Sequence, residues 1–214
     1  MACPAAPGPD LPVLPSVPAH ASSPASARRR FSLAAAAALL VCALGLGLAA
    51  ASARADSQDE RRVRTGARVF RTLLLADVAL ESKASGDGRI DVAIFAATEP
   101  VLDEVAPLIA PEGVASRGPQ FAIRHERVLG EDTAPPVALF LATPVAANDL
   151  DRLVAWSVRH GVILYSPFEG DVERGVLAGV SIEAKVLPYL NQSTLRASGI
   201  EFKPFFMKVA KVHR

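Results

Sequence analysis

Apolar residues recur along this chain with two different periods, and the switching between them outlines its elements. From Arg61 to Leu80, Val63, Ala67, Phe70, Leu74 and Val78 stand three or four positions apart, which predicts one buried helix face. Arg64, Arg68 and Arg71 share a flank of that helix, with Arg62 on the other side, and such a charge run reads first as a solvated face. Ile90 to Ala96 is apolar on both sides, as in a central strand covered on both faces. Thr98-Glu99-Pro100 opens a second helix, because Thr can cap and Pro suits a first turn whose N–H would be unpaired anyway. Val101, Leu102 and Val105 form its inner stripe, and Pro107 is expected to end or kink it. Phe121 to His125 reads as a strand with a wetter end, and Val137 to Leu141 as an apolar strand after Pro135-Pro136. Asn148 or Asp149 is the expected cap of a third helix with Leu150, Leu153, Val154 and Val158, closing at His160-Gly161. Trp156 sits beside that stripe, at a contact surface or at the edge of the core. Val162 to Tyr165 is a third apolar strand.

Strand, helix and strand repeated with short links predict a parallel sheet. The tail differs. Val176 to Ile182 and Lys185 to Leu190 read as a hairpin around Glu183-Ala184. A short helix follows Asn191 and stops at Gly199, and a last one starts near Pro204 and uses Phe205, Phe206, Val209 and Ala210. The expected fold is α/β: a single Rossmann-like domain over residues 56–214, with a mostly parallel sheet, a C-terminal hairpin and terminal helices.

Residues 1–55 are a different object. The first 27 hold seven of the 17 prolines and show no periodicity, so they read as an unstructured leader. Arg28-Arg29-Arg30, an uncharged run from Phe31 to Ala51, and Ala53-Arg54-Ala55 before Asp56 are the three parts of a secretory signal peptide cut after Ala55. A membrane anchor is the competing reading, but the strongly apolar core from Leu33 to Leu48 is short for a span and contains Gly45 and Gly47. The twin-arginine pattern is only partly met, because Ser32 follows Phe31. Cys42 lies inside the apolar core behind the large Val41, which argues against lipidation. The export route and the true start codon stay open.

Composition narrows the function classes. The formal charge of +1 gives no broad positive field for nucleic acid. Both cysteines, Cys3 and Cys42, precede residue 56, so the expected mature chain has no disulfide and no thiol nucleophile. His125, His160 and His213 have no metal-ligand spacing, and neither Gly-x-Ser-x-Gly nor Gly-x4-Gly-Lys occurs. The reading is therefore of no catalytic, metal or cofactor residues, and no cofactor. Asn191 reads first as a helix cap and only second as a ligand contact.

Asn191-Gln192-Ser193-Thr194-Leu195-Arg196-Ala197-Ser198-Gly199-Ile200, then Phe202 and Phe206-Met207-Lys208-Val209-Ala210, resembles the C-terminal signature of the YfiR-like family of exported proteins. Phe168 and Gly175 stand where that family has an aromatic residue and a glycine before the hairpin. With Asn191 and Gly199 they are the motif residues, read as structural. The likeness is close from about Val162 onward. It departs at Pro136, where the family commonly has a Cys, at Lys203 in place of a Ser, and at Ala76 to Leu80, where the family is rich in aromatic residues.

The resemblance implies an α/β domain akin to one lobe of a periplasmic binding protein. It implies a periplasmic regulator, not an enzyme, that restrains a membrane-bound signalling protein, such as a diguanylate cyclase in cyclic-di-GMP signalling, by binding its exported domain. A homodimer is left open. The alternative is a periplasmic small-ligand receptor of solute-binding type, which requires a polar cleft at the strand ends. A hydrolase ranks last, for want of a nucleophile and base. The first helix and the Pro167 to Gly175 loop are the expected contact surfaces.

Overall fold

The structure, a computed structural model, describes residues 57–111, 118–127 and 134–214. The expected cleavage-site residues Ala53, Ala55 and Asp56 lie outside them. Helix α1 covers residues 57–76. After it come β1 (Arg89–Phe95), α2 (Glu99–Ile109), β2 (Gln120–Glu126), β3 (Ala138–Leu141), α3 (Ala147–His160) and β4 (Ile163–Ser166). The hairpin β5 (Ala178–Ile182) and β6 (Val186–Asn191) leads to α4 (Gln192–Ser198), α5 (Pro204–Val209) and β7 (Lys211–His213). All seven strands join one sheet in the order β2-β1-β3-β4-β5-β6-β7. The first five are mutually parallel, β6 is antiparallel to β5, and β7 is parallel to β6. This is a Rossmann-like α/β domain with a mostly parallel sheet.

Burial follows the period-two pleat. Ile90, Val92 and Ile94 share one face with Phe140, Ile163 and Tyr165, and residues of α1, α2 and α5 pack into that cluster. Ala93, Leu139, Leu141 and Leu164 belong to the other cluster, with Leu150, Leu153 and Trp156 of α3. Helix α1 is held by rings: Phe70 lies 5.3 Å from Phe140 and 5.1 Å from Tyr165, centroid to centroid. Tyr165 is fully buried, and burial holds its phenol well above the ordinary value. Its hydroxyl has no hydrogen-bond partner among the described residues.

Several expectations need correction. Helix α1 stops at residue 76, and Val78 is 56% exposed. The reason is a competing partner. Asp77 bridges to Phe202, the Val78 N–H donates to Glu201 O at 2.9 Å, and the chain turns out of the helix to make these bonds. The Asp77 carboxylate secures the turn, accepting from the Ala79 N–H at 2.9 Å and from Lys83 Nζ at 2.6 Å. Pro107 does not end α2, which runs on to Ile109. So near a C-terminus it forfeits one helical bond, while Ala110 still donates to Ala106 O and Ile109 is fully buried. Helix α3 starts from Ala146, whose carbonyl accepts from Asp149 and Leu150; Asn148 and Asp149 lie inside the first turn. On α5, Phe206 is buried, but Phe205 and Val209 are 60% and 55% exposed. Strand β7 was not anticipated; three residues are too few for a period to show.

Candidate functional site: a mixed-charge groove beside the β4–β5 loop

The loop after β4 is built from its own side chains. Ser166 is buried; its hydroxyl donates to Asp171 Oδ2 at 2.5 Å and accepts from the Phe168 N–H at 3.2 Å. The loop returns through Val172, whose carbonyl accepts from the Gly175 N–H at 3.1 Å, while the Val176 N–H donates to Asp171 O at 3.0 Å. Gly175 holds φ +110°, outside the range of ordinary L residues, and a Cβ there would lie 3.2 Å from Val154 of α3. Gly179 answers a closer approach: a Cβ there would stand 2.6 Å from Ser166 O and 2.7 Å from Val172 Cγ2.

Asn191 ties this loop to the next helix. Its Oδ1 accepts from the Thr194 N–H at 2.9 Å, capping α4, while its Nδ2 donates to Val172 O at 2.8 Å. The Thr194 hydroxyl donates to Gly175 O at 2.7 Å. Of the four motif residues, the structure thus brings Gly175 and Asn191 together. Phe168 sits on the same loop, half-buried against the core, and lines a groove. Gly199 lies apart, as the left-handed C-cap of α4. Asn191 and Gly199 thus cap α4 at its two ends, and Gly175 supplies a backbone turn.

The groove has a volume of about 120 Å³, and its walls include Arg62, Phe168, Val172, Glu183, Tyr189 and Lys211. Arg62 reaches across from α1, pairing with Glu169 at 2.9 Å and donating to Pro167 O at 3.4 Å. At the other side Lys211 Nζ lies 2.7 Å from Glu183 Oε1 and 4.9 Å from the centroid of the Tyr189 ring. The Glu183 carboxyl is held below its ordinary value by the hydrogen bond from Lys211, and the ammonium is raised by the same bond. Burial raises the Tyr189 phenol, with Glu173 adding to it. Both cations of the groove are paired with carboxylates, Arg62 with Glu169 and Lys211 with Glu183, and Phe168 and Tyr189 add aromatic lining.

Sequence reasoning placed Arg62 off the basic flank and missed its role. Of that flank, Arg64 pairs with Glu104 of α2. Thr194 was also missed, although its place three residues after the cap is a recognisable spacing. Ser166, Asp171 and Lys211 carried no local signal. Trp156 is 8% exposed, at the edge of the core, with its ring 5.4 Å from that of His160. A second polar corner lies at the ends of β1 and β2. There Glu99 contacts Arg127 and lies 3.2 Å from His125 Nδ1, while His125 Nε2 is 3.0 Å from Ala96 O. The Arg127 hydrogen bond chiefly holds the Glu99 carboxyl low.

Asp171, on the loop beside the groove, is the carboxyl whose burial is expected to make stability depend on pH. Burial raises its carboxyl above 3.8, against the lowering effects of the Ser166 hydroxyl and Arg174. A carboxyl raised on folding takes up a proton in the native state first. Its contribution to stability is therefore largest below its unfolded value and is lost as pH rises through the folded value. Asp171→Asn is expected to be more stable than the parent at neutral pH and to lose the part of the pH dependence that lies just above 3.8. Urea titrations from about pH 4 to 7 read both effects. An unchanged slope would refute the assignment.

Fold and groove define an α/β domain with a hydrogen-bonded loop after β4. No protein-family model matches the chain, and no curated protein matches it. Among solved structures, the ABC domain in complex with L-Trp from Streptococcus pneumonia is similar over 66% of this chain, at 12% identity and a TM-score of 0.40. The chain spans 60% of the length of that structure.

Proposed function

We propose that this protein is an exported, periplasmic regulatory module of YfiR-like type, without enzymatic activity, that restrains a membrane-bound signalling protein by binding its exported domain. The observation that carries this reading is the size and openness of the groove between Arg62 and Lys211. At about 120 Å³ it suits one or two side chains of a protein surface. Small-molecule sites usually occupy roughly 300–1,000 Å³. Its neighbours support the same use, since α1 and the 167–175 loop, the expected contact surfaces, meet there through Arg62 and Pro167. Restraint needs only unequal affinity for two states of the target, and about 1.4 kcal/mol gives a tenfold bias.

The placement of the groove beside the loop after a parallel strand, where α/β sheets commonly take ligands, favours a second reading, a solute-binding receptor. Deletion of the gene, followed by cyclic-di-GMP and biofilm measurement and by pull-down from membranes, separates the two. A partner captured by the parent and lost with Arg62→Glu, together with raised cyclic-di-GMP on deletion, is the expected result. Unchanged cyclic-di-GMP and no membrane partner would end the regulator reading. A small molecule retained through purification and seen by native mass spectrometry would favour the receptor.

A further inference from the structure

We propose that the face carrying Phe205, Val209 and Val78 docks on an anionic phospholipid surface. The sequence period places all three in a core, yet they are 60%, 55% and 56% exposed. Phe205 and Val209 stand one helical turn apart on α5 and are both exposed, while Phe206 turns into the core. Val78 belongs to the same corner, because the Lys203 N–H donates to Ala76 O at 2.8 Å and the Val78 N–H to Glu201 O at 2.9 Å, directly before α5 begins. Leu75, beside that junction, is 38% exposed.

Charge selects the occupant. Residues 202–214 carry Lys203, Lys208, Lys211 and Arg214 and no acidic residue, with Glu201 and Glu81 in the adjoining turns. Lys211 is engaged by Glu183; Lys203, whose Nζ donates to Leu75 O, and Lys208 on α5 are exposed beside Phe205 and Val209 in the sequence. A second copy packed on this face would set cation against cation. A groove on a protein that receives a helix uses anchors at i, i+3, i+4 and i+7, and six residues do not reach the last. A lipid surface asks for less: apolar side chains entering the headgroup boundary, with cations at the level of the anionic headgroups. This inference is independent of the groove and of the regulatory reading.

The test is Phe205→Trp in the full chain, with the indole at 205 as reporter and buried Trp156 as a constant background. Vesicles are phosphatidylcholine alone, or with about 30% phosphatidylglycerol. A blue shift and quenching by brominated acyl chains are expected on the anionic vesicles alone, reversed by salt near 0.5 M. Lys208→Gln in that background is expected to weaken binding about fivefold, as for one cation at an anionic surface. Attachment through the apolar run at 33–48 leaves position 205 unshifted, so it does not imitate the result. No shift on anionic vesicles, or an equal shift on both kinds, overturns the proposal. A shift that grows with protein concentration without lipid overturns it in favour of a second copy.

Discussion

Gly179→Ala is expected to lower stability by about 2–3 kcal/mol and the melting temperature by about 5–10 °C. The added Cβ would stand 2.6 Å from the carbonyl oxygen of Ser166, which is backbone in a buried strand paired with β5. Val172 Cγ2, at 2.7 Å, closes the other side, and Val172 is itself fixed by the bond from Asn191 Nδ2. Neither neighbour can yield without parting β4 from β5 or moving the groove loop. Gly179→Val is expected to cost more again. Gly86→Ala is the control, with nothing within 4 Å of the new atom, and is expected to leave the melt unchanged. A Gly179→Ala melt equal to the parent would show that the strands relax freely here.

Asn191→Ala is expected to cost about 2–4 kcal/mol, because it leaves two buried backbone groups, the Thr194 N–H and the Val172 carbonyl, without partners. Asn191→Asp separates the two jobs. An aspartate still accepts from Thr194 and suits the helix N-terminus, but it turns an oxygen toward the Val172 carbonyl. Its expected loss is intermediate, with faster amide exchange in the 172–176 loop than in α4. Equal stability of parent and Asn191→Asp would reduce Asn191 to a simple cap. Denaturant melts with hydrogen exchange give both readings.

Where one element's burial decided its fold, the sequence showed it plainly. The strands at Ile90, Ala138 and Ile163 are covered on both faces over most of their length, so each reads as a largely apolar run, broken only by Asp91 in the first, and all three lie in the parallel core. Asn191 and Gly199 bracket α4 because capping is local chemistry between residues three or four apart. The sequence misled where a distant segment outbid a local preference. Val78 continues the period of α1, but residues 201–203 draw the chain away at Asp77. Phe205 and Val209 read as core because period alone cannot say which apolar positions find a neighbour. The groove was the least legible part. Its walls come from α1, the β4–β5 loop, β5, β6 and β7, so no window of sequence contains them together. The first helix and the Pro167 to Gly175 loop were expected as contact surfaces, but not the part that β5, β6 and β7 play in the walls.

The seam between residues 75–78 and 201–203 also orders events in time. Lys203 Nζ reaches Leu75 O across 128 positions, and the Asp77–Phe202 bridge lies next to it. In a growing chain α1 and the strands β1 to β6 all precede the residues that stop the helix and seal its end. Until then Asp77 has no segment to bridge to, and the core cluster lacks Phe202 and Phe206. Contacts of such long separation form late and slowly, since the loop they close is nearly the whole domain. A clasp made from so late a segment sets when the domain closes, and does so without help from any other protein.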